Sequence, residues 1–538
     1  MQPNQPLRDA SEAIGLALLL SAAVFILQWR YGFNWADEGW LWYVSQRVHF
    51  GQMSIRDFFG YDPGRYLWSA AWFKALDGDG LFEQRLANSC FGIIGLAAAY
   101  AAMAAAQIRR PLRIATLVLL AIALGFPQHK IYEQSLSLIG VAVLAHALFR
   151  PELARRWFLV GLATAIAAII GRNSGVYFAI GSWLGLLAAS CLPYSGKTLR
   201  GLHAWVAGTA LGYAPMLAWF AIDPRFRAAM IASILFTPQW QLPLPIPFPW
   251  RVAQTVDSTA AMQATAVGWL CIAVIATYAA AGVGVVRTLA RKLPADRLSL
   301  LEAASLCIGL PYLHQAFDRA DFSHIAQGIL PAFLVAAVRF QRDPSVISRS
   351  ASATLACLAL LAWIPSEPRV AAHLAFRRDP GSLVHFAMDG RDFILDRDQA
   401  RVLQLSRTAF ERCGAGPGQF VAMPHYPGIL AYLHAASPYW ELYYLYHRTP
   451  AFQQTEISAM RAQQTKVALI NRRATVDGRD DLRIERTNPL LVGYIRDHFQ
   501  RLPPRGDGLD DFEFFERDCM KPVPSAESFG KTSPTPSS

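Results

Sequence analysis

Apolar runs alternate along this chain with short basic gaps, a pattern that only a bundle of membrane-crossing helices satisfies. Eleven runs are legible: Ile14–Trp29, Leu86–Ala106, Ile114–Phe126, Leu136–Phe149, Trp157–Ile170, Val176–Leu192, Ala204–Ile222, Thr265–Val286, Leu298–Tyr312, Ile325–Val338 and Ala351–Ile364. Several fall short of the roughly 20 residues of a straight span and need polar flanks that snorkel or line a cavity. Every second gap is rich in Lys and Arg: RRPLR (109–113), RPELARR (150–156), GKTLR (196–200), RTLARKLPADR (287–297) and RFQRDPSVISR (339–349). Cationic loops stay in the cytoplasm. The expectation is therefore a multi-pass inner (plasma) membrane protein with a cytoplasmic N-terminus and everything after Ile364 outside.

Composition agrees. Charged residues make up 17% of the chain, against about 25% in soluble domains. The net charge of +11 sits largely in the gaps, not on a soluble basic face, so it marks topology and excludes a nucleic-acid partner.

The predicted fold class is mainly α: a polytopic bundle of about eleven spans with a C-terminal external α/β domain. Residues 1–366 form the membrane part, with a long first external loop at 30–85. Residues 367–523 are more polar and form the external domain; 524–538 are rich in Ser, Thr and Pro and read as a disordered tail. QFVAMP (419–424) and KVALIN (466–471) read as short buried strands, ILAYLHAA (429–436) and PLLVGYIRDHF (489–499) as helices. Cys413 and Cys519 are the only cysteines of the external part, and an oxidising compartment predicts a disulfide between them. The aromatic stretch Pro424–Arg448 reads first as core, or, where exposed, as a surface on which a ligand could stack. A proline-rich loop, FTPQWQLPLPIPFPW (236–250), reads as a stiff cover at the membrane surface.

Chemistry concentrates at the membrane edge. NWADEGWLWY (34–43) follows the first run at once and carries Asp37 and Glu38, an expensive place for carboxylates unless they have a task. A simpler role for the pair is capping a surface helix, EGWLWYVSQRVHFG, with Leu41, Val44 and Val48 on its apolar face. GYDPGRYLW (60–68) adds Asp62 and Arg65, and FEQRLANSCFGIIGL (82–96) opens the second run. Together these segments resemble the entrance loop of the GT-C glycosyltransferases, such as the protein O-mannosyltransferases and the lipid A aminoarabinose transferase. The likeness covers roughly the first 110 residues and loosens to about Leu192; one proline and Arg65 stand where the family often has two prolines and a Lys.

The resemblance implies transfer of a sugar from a polyprenyl-phosphate donor to an acceptor hydroxyl on a glycan, lipid or protein, on the outer face of the membrane. It maps Asp37 onto the catalytic Asp, with Glu38 beside it and Asp62 as a further carboxylate. Such an inverting displacement needs a base for the acceptor hydroxyl and positive charge for the departing phosphate. Arg65, Lys130 of QHKIYEQ (128–134), Arg172 of GRNSG (171–175), and Arg319, Asp321 and His324 of HQAFDRADFSHIAQ (314–327) are the residues expected to hold donor phosphate or sugar. A divalent metal is another source of that charge, though no ligand spacing marks a site for one. Two other classes fit a polytopic envelope protein: a transporter or flippase of envelope precursors, and a non-catalytic assembly partner. A transporter would carry ionisable residues in mid-span and matched halves; here charge collects in unequal outer loops.

Overall fold

The computed structural model describes residues 5–192, 198–236, 242–251, 258–291, 293–503 and 509–519. The Ser/Thr/Pro-rich end and the start of the proline-rich cover, 237–241, lie outside them. The molecule is mainly helical. In chain order the helices are α1 (Gln5–Gln28), α2 (Asp37–His49), α3 (Gly64–Leu76), α4 (Leu81–Ala105), α5 (Arg110–Leu124), α6 (Ile131–Leu148), α7 (Ala154–Ile170), α8 (Arg172–Ser190), α9 (Thr198–Ile222), α10 (Pro224–Phe236), α11 (Ser258–Ala290) and α12 (Arg297–Asp318). They continue with α13 (Phe322–Gly328), α14 (Leu330–Arg342), α15 (Val346–Trp363), α16 (Pro368–Arg378), α17 (Arg397–Arg412), α18 (Pro427–Tyr432), α19 (Pro450–Ala462), α20 (Ile484–Thr487) and α21 (Pro489–His498).

Each of the eleven apolar runs is helical, but not every helix is long and apolar enough to cross a membrane. Six are, among the described residues: those spanning Arg8–Gln28, Leu81–Ala105, Gln128–Leu148, Leu199–Ile222, Thr259–Ala290 and Val346–Ser366. A seventh arises if α13 and α14, bent by 53° at their junction, are one span. The shortfall from eleven is partly a matter of length. The 15 residues of α5 rise only about 22 Å, against roughly 30 Å of hydrocarbon. Many large apolar side chains on the longest helices face outward, Leu19 and Ile26 on α1 and Leu211 and Leu217 on α9 among them, as lipid-facing residues do.

Polar side chains gather at the two ends of the bundle. At one end the basic gaps are stitched together. Arg110 pairs with Glu12 at 2.5 Å, Arg342 with Glu302 at 3.0 Å and with Asp296 at 2.9 Å, and Arg297 donates to the Ala105 carbonyl at 3.0 Å. At the other end lie the first loop, the short segments before α6, α8 and α13, and the C-terminal region.

That C-terminal region carries the β-structure. Strands β1 (Leu383–Met388) and β2 (Arg391–Asp396) form an antiparallel hairpin. Strands β3 (Phe420–Met423), β4 (Val467–Asn471), β5 (Gln500–Arg501) and β6 (Phe512–Glu516) form a sheet of order β3-β4-β6-β5, parallel only between β3 and β4. β3 and β4 are buried along their whole length, which is why they read as continuous apolar runs. β2 and β6 interleave charge with apolar residues and β1 carries a histidine at its centre; none of the three was apparent in sequence. Cys413 and Cys519 are joined, as expected, with Cα atoms 4.5 Å apart.

The C-terminal region does not stand apart from the first loop; the two share one core. Ile394 of β2 exchanges hydrogen bonds with the loop, donating to the Arg30 carbonyl at 2.8 Å and accepting from the Gly32 N–H at 2.9 Å. The Phe59 N–H donates to the Trp440 carbonyl at 2.7 Å, and Trp440 Nε1 returns a bond to the Ile55 carbonyl at 2.8 Å. α18 lies against α2 so closely that a Cβ added at Gly39 would sit 2.5 Å from the Gly428 Cα. The expectation of α2 as an interfacial surface helix is thereby corrected. Trp40 through Gln46 are all buried: α18 packs on the Gly39–Gln46 face, and Val44, on the opposite face, lies against the first loop at Gly60.

Candidate active site

The turn into α2 is built by Asn34. Its Oδ1 accepts the Ala36 and Asp37 N–H groups at 3.1 and 3.0 Å. Capping is therefore the work of Asn34, which leaves the Asp37 side chain free of it. Asp37 points into a cavity of about 610 Å³ roofed by the C-terminal region, and 43% of its side chain is accessible from that space. Its Oδ1 accepts the Tyr443 hydroxyl at 2.8 Å, while Oδ2 lies 3.6 Å from Nε2 of buried His129.

Glu38 departs from its expected role. It turns away from the cavity and takes Arg85 in a two-pronged ion pair, 2.7 and 2.8 Å, with both side chains almost wholly buried. Consecutive residues at a helix start point about 100° apart, so one faces the cavity and the other α4. The remaining Arg85 donors go to the carbonyls of Trp29 and Gly32 at 2.6 and 2.7 Å. Glu38 is a strut between α4 and the turn that follows α1.

A second, smaller cavity of about 90 Å³ adjoins the first, sharing Tyr61, Lys130, Asn173, Gln315 and His324 as lining. Asp62, Arg65 and Arg172 line it. Eight of the nine residues singled out in the sequence thus face one or both cavities, Glu38 being the exception. They arrive from α3, the segment before α6, the start of α8 and the α12–α13 connection.

The cations differ in how far their charge is already committed. Arg65 is paired with Glu133 at 2.8 Å and donates Nε to the Ile170 carbonyl at 2.9 Å. Arg319 is the most committed. Both its terminal nitrogens reach Asp477, at 2.6 and 2.5 Å, and Nε reaches Asp321 at 2.9 Å. Arg319 ties the α12–α13 connection to the C-terminal region while lining the cavity where it was expected to hold donor phosphate. Asp321 also accepts His324 Nδ1 at 2.8 Å, which orients that ring. Arg172 donates its backbone N–H and Nε to Asp62 at 2.7 and 3.2 Å, but its Nη1 is buried without a partner among the described residues. Lys130 has no carboxylate within ion-pair distance among the described residues and lies 5.6 Å from the Tyr61 ring. Lys130 and Arg172 are the cations with donor capacity to spare.

Electrostatics keep Asp37 ionised. Enclosure by itself would raise the carboxyl, but His129, Lys130 and the Tyr443 hydroxyl outweigh it and hold the group below the ordinary carboxylate range. His425, another cavity residue, is pushed down to about 4 by burial, against a weaker upward pull from Asp37, and is neutral at pH 7. Among the described residues, the one trio of ligand atoms close enough to hold an ion is Cys413, Glu516 and Cys519, and its two sulfurs are bonded to each other. Among the described residues no such trio surrounds Asp37, and the cations Lys130 and Arg319 line its cavity.

Tyr443 and His425 were not legible as site residues. Both lie in the aromatic stretch read as core, and most of that stretch is indeed buried. His129 sat unremarked beside Lys130. No protein-family model matches the chain, and no curated protein matches it either.

Proposed function

We propose that this chain is a membrane glycosyltransferase of the GT-C type, taking a sugar from a polyprenyl-phosphate donor on the outer side of the inner membrane. One observation carries the reading: an ionised carboxylate, Asp37, shares a connected pair of cavities with two under-committed cations, Lys130 and Arg172, at the end of the bundle away from the basic gaps. In this reading all eleven apolar runs are spans, the shorter ones at an angle or lining the cavity. The N-terminus is cytoplasmic and the C-terminal region external.

The acceptor hydroxyl attacks the anomeric carbon from the face opposite the phosphate and gives its proton to Asp37 Oδ2. Oδ1 is already occupied by the Tyr443 hydroxyl, which fixes the carboxylate plane. The bond from the anomeric carbon to the phosphate oxygen breaks, and both its electrons leave with polyprenyl phosphate. Lys130 and Arg172 stabilise the charge that develops there. The products are a glycoside of inverted configuration and the lipid phosphate. A phosphate leaving group is weakly basic, so no general acid is needed, and Asp37 need only collect a proton already lost as the new bond forms.

The test is a purified preparation incubated with a panel of radiolabelled polyprenyl-phosphate pentoses and hexoses, followed by release of lipid phosphate. Consumption that disappears in Asp37→Asn supports the assignment. Labelled lipid crossing proteoliposomes unmodified, with no dependence on Asp37, would establish transport instead.

A further inference from the structure

A second sizeable cavity lies apart from the one that holds Asp37. A groove of about 860 Å³ opens where the outer end of α1, α5, α16 and the β1–β2 hairpin meet. Its floor is apolar, from Val24 and Leu27 of α1, Ile122 of α5 and Phe376 of α16. It is continuous with the outward face of α1, where Ile26 and Leu27 are exposed. Its level is set by Trp29 and Tyr31, aromatic residues at the end of a span, and by α16, which leaves α15 after a single turn and buries none of its residues.

The rim is polar and unevenly satisfied. Arg369 and His373, one helical turn apart on α16, have no carboxylate within ion-pair distance among the described residues. Glu367 caps α16 by accepting the Val370 N–H at 2.7 Å through Oε2, while its Oε1 is buried without a partner among the described residues. An unsatisfied buried carboxylate oxygen is costly and calls for a donor from outside the chain.

We propose that this groove binds a phosphatidylethanolamine molecule, its phosphate held by Arg369 and His373, its ammonium by Glu367 Oε1, and its acyl chains lying along α1. The charge order decides the headgroup. Glu367 repels a purely anionic lipid but accepts an N–H from ethanolamine, and the methylated nitrogen of choline has no N–H to give. The site is separate from the Asp37 cavities, and the inference does not rest on glycosyl transfer.

Native mass spectrometry of the full chain, released from micelles doped with phosphatidylethanolamine, phosphatidylcholine or phosphatidylglycerol of the same acyl chains, tests it. Phosphatidylethanolamine adducts should outlast phosphatidylcholine adducts with about tenfold higher occupancy, the size of one charge-assisted hydrogen bond. Glu367→Gln retains an oxygen to cap α16 and should remove that preference while leaving phosphatidylcholine binding unchanged. Arg369→Gln should weaken both lipids. Equal retention of the two zwitterionic lipids by the unmodified protein, a comparison that needs no variant, overturns the proposal. So does stronger retention of phosphatidylglycerol, displacement of the bound lipid by a polyprenyl phosphate, or a phosphatidylethanolamine preference that survives Glu367→Gln.

Discussion

The Tyr443 hydroxyl donates to the Asp37 carboxylate at 2.8 Å across 406 positions of sequence. Candidate base and partner thus come from opposite ends of the chain, one from the first loop and one from the C-terminal region laid over it.

Asp37→Asn is expected to leave the protein folded and inserted, since the amide is isosteric, and to lower turnover by about 10² or more. Tyr443→Phe removes a group that holds the Asp37 carboxyl low. The proton-acceptor form of Asp37 then disappears at a higher pH, and the acid limb of the rate profile moves upward. The measurement is the pH dependence of donor consumption for both variants. An unmoved acid limb in Tyr443→Phe would separate the two residues functionally.

Glu38→Gln should behave differently from Asp37→Asn. It leaves Arg85 buried with its carboxylate partner gone, a change that costs about 3 kcal/mol or more. Thermal unfolding in detergent should fall markedly, and whatever protein remains folded should turn over near the unmodified rate. A stable Glu38→Gln protein without activity would return Glu38 to the chemistry.

His434 bridges the first loop and the β1–β2 turn, with Nε2 3.1 Å from Asp389 and Nδ1 3.5 Å from Asp79. Hydrogen bonds to Asp389 and then Asp79 raise its imidazole to about 9, against the opposing effect of burial. A raised folded value means a contribution fully present below the unfolded value of about 6.5 and lost as pH climbs through about 9. Hydrogen exchange across residues 430–436 should therefore quicken between those limits beyond its intrinsic pH dependence. His434→Gln should abolish that extra component.

Cys413–Cys519 closes a loop of 106 residues. Replacing both with Ser should cost on the order of 2–5 kcal/mol and release the C-terminal region to proteolysis earlier than the bundle. Non-reducing alkylation should find neither thiol free in the unmodified protein.

The helices were legible because apolar runs and the charges between them report directly on burial in lipid. The cavity residues were legible for a related reason: Lys130 and Arg172 are ionisable groups at run ends, where solvation alone would not place them, and Asp62 stands out in the aromatic segment GYDPGRYLW of the first loop. Span count was harder, because a helix such as α5, with 15 residues, has the hydropathy of a crossing helix without its length. Tyr443 and His425 were hidden because aromatic residues serve cores and sites alike, and only tertiary pairing distinguishes the two. The pairing of Glu38 was hidden for the same reason, since nothing local to it points to Arg85.

The backbone approach of Gly39 to Gly428 bears on how substrates reach Asp37. Two glycines pressed together without side chains form a seam that cannot slide or part without losing the packing of α2 on α18. A hinge at that seam would have to break this contact before it could open, so a route to Asp37 that keeps it runs through openings already present in the cavity wall.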